Sequence, residues 1–126
     1  MNESEIQQYA MQIATQQVLA ELSYPFGEDI HVFKVMNKIF LLTSTAQGQI
    51  FVNLKVQPEQ SEILRELYPS IKMCYHMNKK HWISIYAGEK IDAQLIEDLV
   101  KTSYQLVTEQ LTKKQKQALA IHSTIQ

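Results

Sequence analysis

The densest group of side chains capable of chemistry lies between Tyr75 and Trp82, where two histidines, two lysines, an amide and two aromatic rings occur together. If residues 77–80 form a four-residue hairpin loop, His76 faces His81 and Tyr75 faces Trp82 across the two strands. Lysines at the tip of such a loop suit contacts with phosphates, and rings at its base brace the loop. The segment therefore supplies the first candidate nucleic-acid contacts, which are Asn78, Lys79, Lys80, His81 and Trp82.

Other interpretations of this segment remain open. A hairpin with lysines at its tip could use Tyr75 and Trp82 only as core anchors. Alternatively, His76, Asn78, His81 and Trp82 could line a pocket for a small ligand or a protein partner.

A zinc site is a further interpretation. Cys74, His76 and His81 alternate onto one face in the same register, and three such ligands could hold zinc with an open fourth position. The C-x-H-x4-H spacing is not a standard zinc pattern, and no CxxC or HxxxH motif supports it. We expect neither a metal nor another cofactor.

Charge is unevenly distributed, although the net charge of the chain is only −1. Residues 1–30 contain five acids and neither lysine nor arginine. The stretches 31–57 and 68–88 contain no acid and six lysines, which are Lys34, Lys38, Lys55, Lys72, Lys79 and Lys80. A sheet with lysines and no carboxylates is a candidate surface for a polyanion, because neutralising phosphates supplies most non-specific affinity for nucleic acid. The structural alternative is that lysines discourage pairing between exposed strand edges.

The sequence contains no catalytic motif of the G-x-S-x-G, Gly-rich phosphate-loop or HExxH type. Glu28-Asp29, the tight carboxylate pair outside the predicted helices, fits a turn better than an acid–base dyad. These strands also contain no arginine, the residue best suited to bidentate base recognition. We expect a non-enzymatic module whose binding to nucleic acid is non-specific.

Hydrophobic periodicity predicts the elements that position these residues. Helices are predicted at 3–22, at 58–67, after the cap Asp92 and from Thr112 onward, and capping boxes begin the first and the last. Strands are predicted at 31–36, 39–43, 48–56, 70–77 and 81–87, with a turn at Asn37-Lys38. Strands joined by hairpins, with segregated helices, indicate an α+β two-layer sandwich: an antiparallel sheet of about five strands packed by N- and C-terminal helices.

A chain of 126 residues suits a single domain, with a core at about 5–110 and a C-terminal helix at about 112–125. The lone cysteine and the acidic N-terminus, unlike a secretory signal, indicate a cytoplasmic protein. The longest apolar run, residues 39–42, is far shorter than the ~20 residues that span a bilayer, so no membrane partner is expected. A monomer is favoured, with the oligomeric state left open.

The sequence resembles the MmcQ/YjbR family of small bacterial proteins over about residues 5–110. The segments that carry the resemblance are Tyr24-Pro25-Phe26-Gly27, Val32-Phe33-Lys34-Val35-Met36, Lys38-Ile39-Phe40, Val52-Asn53-Leu54-Lys55, Tyr68-Pro69, residues 75–82 and Ser103-Tyr104.

The resemblance implies a fold similar to bacterial frataxin, and DNA binding through a proposed double-wing arrangement of the hairpins. It places Asn78, Lys79, His81 and Trp82 in the family's signature block. The glycine that the family usually has between the first two strands is Asn37 here, and a small residue often stands at the position of Cys74. Iron binding is not implied, because the first helix is rich in glutamine where frataxin has an acidic ridge. The resulting hypothesis is DNA binding through Lys34, Lys55, Asn78, Lys79, Lys80, His81 and Trp82, with the ligand pocket as the alternative.

Overall fold

The computed structural model describes residues 1–45, 50–75 and 77–125. Within these residues the elements are α1 (Glu3–Thr15), β1 (Ala20–Ser23), β2 (Ile30–Val35), β3 (Lys38–Ser44), β4 (Phe51–Lys55), α2 (Pro58–Leu67), β5 (Ile71–Met73), β6 (Trp82–Ile85), α3 (Ala93–Glu109) and α4 (Lys113–Ile125). The strands form one antiparallel sheet in the order β1-β2-β3-β4-β6-β5, so β1 and β5 are its edges. The predicted α+β class is confirmed, with six strands where about five were expected.

The helices begin at the predicted capping residues. In α1 the backbone N–H of Glu5 donates to the side chain of Asn2, and the side chain of Glu5 accepts from the N–H of Asn2. Thr112 and Gln115 make the same reciprocal pair at the start of α4. Asp92 caps α3 by accepting from the N–H three residues further on. Each cap satisfies N–H groups that the first helical turn leaves without a partner.

The prediction that the first helix continues to residue 22 was wrong. The helix ends at Thr15, and Leu19 then adopts a left-handed backbone with φ of 59°. The hydroxyl of Tyr104 on α3 donates to the carbonyl of Val18 at 2.6 Å, which fixes the chain at this reversal. The following residues form β1, because apolar positions 18, 20 and 22 fit the alternation of a strand as well as a helix.

The turn between β2 and β3 lies one residue earlier than predicted. Val35 pairs with Lys38, so Met36 and Asn37 are the two central residues. Their φ values are 47° and 69°. Positive φ at both positions is the type I′ geometry that matches the twist of a two-residue hairpin.

The hydrophobic core lies between one face of the sheet and the helices α1 and α3. Strand residues in it include Phe33, Leu41, Val52, Leu54, Ile83 and Ile85. Leu119 of α4 packs against this core, and α2 contacts the edge strand β5. The sheet therefore has one side covered by α1 and α3.

A serine joins α3 to the middle of the sheet. The β3–β4 pairing ends at Leu41 and Leu54. Beyond that point Ser103, which is fully buried, donates to the carbonyl of Phe40 at 2.6 Å and accepts from the N–H of Lys55 at 2.8 Å. Ser103 thus satisfies two backbone groups that the separating strands no longer pair, which fixes where Lys55 leaves the sheet.

Candidate nucleic-acid interface

The side of the sheet away from the helices carries the candidate site. Val52 and Leu54 belong to the core, so Asn53 between them points to the other side. The register places Asn53 beside Leu42 of β3 and Ser84 of β6. We call this side the outer face; its residues include Val32, Lys34, Leu42, Phe51, Asn53, Lys55, Lys72, Trp82, Ser84 and, directly after β6, Tyr86.

The alternation of the strands assigns three of the six predicted lysines to the outer face, but the side chain of Lys55 ends beside α3, where its Nζ reaches Gln110. Lys34 is on β2 and Lys55 on β4, both interior strands, whereas Lys72 is on the edge strand β5. Protection of an exposed edge therefore accounts for Lys72 and not for the other two. Glu21 of β1 is opposite Lys34 in the register. Among the described residues, Lys101 and Glu97 of α3 form an ion pair, and no lysine of the sheet forms one.

The surroundings of Lys55 disfavour the positive charge of its side chain. Burial, followed by the positive charge of Lys38, lowers the pKa of Lys55 from its ordinary value of 10.5. Its Nζ donates to Oε1 of Gln110, at the end of α3, at 3.2 Å. Both effects on the pKa disfavour the charged form of the Lys55 side chain.

The register around the signature segment differs by one residue from the prediction. Met73 pairs with Ile83, and the N–H of Cys74 donates to the carbonyl of Trp82 at 3.1 Å. Trp82 is therefore opposite Cys74, and the predicted pairing of Tyr75 with Trp82 was wrong. The strands are also shorter than the predicted 70–77 and 81–87.

Asn78 explains this register. Its carbonyl accepts from the N–H groups of His81 at 3.0 Å and Trp82 at 2.9 Å, and its Oδ1 accepts from the N–H of Lys80 at 3.1 Å. The chain therefore closes into a turn around Asn78 instead of continuing the ladder. The turn leaves Lys79 and Lys80 exposed at its tip, as predicted for a lysine-tipped loop.

The two aromatic residues of the segment have different environments. Trp82 is 9% exposed, whereas Tyr75 is 75% exposed. Trp82 is thus buried as an anchor would be, but on the outer face and not in the core beneath α1 and α3, and the core-anchor interpretation fails for Tyr75. Cys74 is buried with a free thiol. His76, which was predicted to face His81 and to join the possible zinc ligands, lies outside the described residues; among those described, no three His, Cys, Asp or Glu side chains converge as metal ligands.

Sequence reasoning missed a buried polar pair at the centre of the outer face. The hydroxyl of Ser84 donates to Oδ1 of Asn53 at 2.6 Å, and both side chains are almost fully buried. Nδ2 of Asn53 lies 3.9 Å from Sδ of Met77, which belongs to the loop between β5 and β6. That loop therefore lies over the outer face. The available signal was a serine and an asparagine within otherwise apolar strands.

The cleft beside His81 bears on the pocket hypothesis. Its volume is about 160 Å³, and its polar lining consists of Lys55, Gln57, His81, Glu109 and Gln110. Ligand pockets are commonly about 300–1,000 Å³. Of the other residues predicted for the pocket, Asn78 is engaged by its own turn and Trp82 is outside the lining that the described residues provide. The ligand pocket stays a prediction.

This fold and this arrangement of residues correspond to a known family. Residues 18–106 match the family model described as YjbR, and the chain belongs to the YjbR family. It is 44% identical over 114 residues to the uncharacterised protein YbdF of Escherichia coli O157:H7, covering 90% of this chain and 93% of the relative. It is 29% identical over 86 residues to the uncharacterised protein YjbR of Escherichia coli strain K12, covering 68% and 73%.

Solved structures agree with the fold. A Deinococcus radiodurans protein described by the family-model domain DUF419 superposes with a TM-score of 0.78 and 34% identity, covering 86% of this chain and 83% of that one. A Pseudomonas syringae protein superposes with a TM-score of 0.65 and 28% identity, covering 84% and 98%. These comparisons do not test the double-wing arrangement or the likeness to frataxin, which stay predictions.

Within the described ranges, no helix combines the length and the apolar character that a membrane span requires.

Proposed function

We propose that this YjbR-family chain is a non-enzymatic module that binds nucleic acid, with DNA as the expected partner, through the lysines of the outer face and the loop tip. The observation that carries the proposal is the placement of Lys34 on an interior strand of the outer face and of the loop-tip lysines beside that face, where no described carboxylate forms an ion pair with them. Edge protection does not account for a lysine on an interior strand, whereas a phosphate backbone can pair with Lys34 and with the loop-tip lysines.

The loop between β5 and β6 adds the second group of charges. Lys79 and Lys80 are exposed at its tip, and contact of Met77 with Asn53 ties the loop to the outer face. In this proposal the two lysines contact phosphates, Asn78 holds the turn, and Trp82 anchors the base of the loop. His81 lies at the same base and lines the cleft with Lys55.

The absence of arginine from the sequence of these strands limits the kind of binding proposed. The arginine of the chain, Arg65, lies on α2, where its Nε donates to Ser61. Lysine ammonium groups act on phosphates as point charges and do not supply the bidentate fork that recognises base edges. The proposed binding is therefore modest in affinity and insensitive to base sequence.

Fluorescence anisotropy with a short labelled DNA duplex at ~50 mM salt, where electrostatic binding is strong, tests the proposal. The test variant carries Lys34→Gln, Lys72→Gln and Lys79→Gln. Its matched control carries Lys101→Gln, Lys113→Gln and Lys114→Gln, an equal loss of charge on the helices. We expect the test variant to bind at least about tenfold more weakly and the control within about threefold of the wild type. Equal losses in both variants, or no binding by the wild type, would overturn the proposal.

A further inference from the structure

A groove of about 470 Å³ lies at the β5 edge of the outer face, away from the loop tip. Its lining includes Ser70, Lys72, Tyr86, Gly88, Glu89 and Lys90. The volume falls within the range of sites that hold small molecules or single units of a polymer. The groove lies at the same edge of the sheet as Lys72, which is on the outer face and also lines the groove.

Close backbone packing builds the groove. The N–H of Tyr86 donates to the carbonyl of Ser70 at 2.9 Å, which continues the β5–β6 pairing beyond its last strand residue. Gly88 then packs directly on Ser70, because a Cβ at residue 88 would collide with Oγ and Cβ of that serine. The segment that carries Glu89 and Lys90 is thereby held beside the end of the sheet.

The aromatic member of the groove is also supported. The ring of Tyr86 contacts that of Phe51 on β4, with centroids 6.0 Å apart and planes inclined by 54°. Tyr86 is only partly buried, so part of its surface is open to the groove. An aromatic side chain supported in this way can stack with an unpaired base, whatever the identity of that base.

The charges of the groove restrict the ligand further. Lys72 and Lys90 contribute two positive charges and Glu89 one negative charge, which leaves the lining with one net positive charge. One net positive charge suits a single phosphodiester better than the several charges of a nucleoside triphosphate. A base inside a duplex is already stacked on both sides, so only a single strand can present one to Tyr86.

We propose that this groove binds one nucleotide unit of single-stranded nucleic acid, with the base against Tyr86 and the adjacent phosphate between Lys72 and Lys90. The inference rests on the proposed function and makes it more specific, since it assigns a preference for single strands. Tyr86 and Lys90 distinguish the groove from the proposed function, because neither belongs to the lysines assigned to that function.

The experiment compares a labelled oligothymidylate with a labelled duplex in anisotropy titrations of the full chain. The variants are Tyr86→Leu, which keeps bulk and loses the ring, its control Tyr86→Phe, which keeps the ring, and Lys90→Gln as an independent surface change. Circular dichroism checks that each variant is folded. We expect tighter binding of the single strand, a loss of about tenfold for Tyr86→Leu and a change within about twofold for Tyr86→Phe. Lys90→Gln should weaken single-strand binding and leave duplex binding unchanged.

The outcomes separate the two proposals. Equal binding of both DNAs that is unaffected by Tyr86→Leu and Lys90→Gln, but lost in the variant of Lys34, Lys72 and Lys79, overturns the groove and leaves the proposed function intact. No binding of either DNA overturns both. If Tyr86→Leu does not fold, Lys90→Gln alone decides, because an unchanged affinity for the single strand would contradict the groove.

Discussion

The hydroxyl of Ser84 donates a 2.6 Å hydrogen bond to Oδ1 of Asn53 between two neighbouring strands, on the outer face of the sheet. Both side chains are buried, and Sδ of Met77, in the loop between β5 and β6, lies 3.9 Å from Nδ2 of Asn53. The pair thus connects the sheet to the loop that carries Lys79 and Lys80.

Replacing Ser84 with alanine should destabilise the protein by about 1–3 kcal/mol, because Oδ1 of Asn53 would remain buried without its donor. Chemical denaturation of Ser84→Ala measures the difference. The control is Ser4→Ala, on the exposed surface of α1, which should change the free energy of unfolding by less than about 0.5 kcal/mol. A Ser84→Ala protein as stable as the control would show that the buried pair contributes nothing.

The hairpin turn at Asn37 should tolerate glycine and resist alanine. Asn37 has a φ of 69° and an exposed side chain, so Asn37→Ala places a Cβ in a left-handed conformation that costs about 1 kcal/mol. Asn37→Gly avoids this cost. Thermal or chemical denaturation of the two variants should rank the alanine protein as the less stable. The opposite order would contradict the type I′ turn.

Tyr104 should make the protein sensitive to alkaline pH. Burial raises the pKa of Tyr104 above its ordinary value of 10.0, and its hydroxyl donates to the carbonyl of Val18. A pKa that is higher in the folded chain means that the stabilisation is complete below the unfolded pKa and is lost as pH rises through the folded one. The free energy of unfolding should therefore fall more steeply above pH 10.0 in the wild type than in Tyr104→Phe.

The same variant supplies its own check at neutral pH. Tyr104→Phe leaves the carbonyl of Val18 without its donor and should cost about 1 kcal/mol there. Lys55, whose lowered pKa acts with the opposite sign in the alkaline range, is present in both proteins and cancels in the comparison. Parallel curves of unfolding free energy against pH for the two proteins would show that Tyr104 does not cause the loss of stability at alkaline pH.

Local signals were predictable from the sequence, and contacts between distant residues were not. The capping residues Asn2 and Asp92 and the alternation through β4 depend on neighbours a few positions away, and each was placed correctly. The chain reversal after α1 is held by Tyr104, which is 86 residues from its partner Val18. No periodicity within residues 3–22 encodes that contact.

The candidate site shows the same division. The segment that carries Lys79 and Lys80 was identified from its composition, and their exposure agrees with it. The register of that segment follows from the backbone bonds of Asn78, and Asn53 makes its contacts with Ser84 and Met77, which are distant in the sequence. Neither feature could be predicted from the sequence, because the identity of a residue does not specify which distant group it will contact.

The dependence of DNA affinity on salt tests the central claim most directly. A lysine surface that neutralises phosphates releases counterions, so log K should fall linearly with log salt concentration, by roughly 0.9 for each phosphate neutralised on a duplex. We predict a clearly negative slope for the wild type. The slope should become shallower by about one to two units in Lys79→Gln/Lys80→Gln and stay unchanged in the α4 control Lys113→Gln/Lys114→Gln. A slope near zero for the wild type, or equal flattening in the loop variant and the control, would contradict the assignment of the outer face and its loop as a nucleic-acid interface.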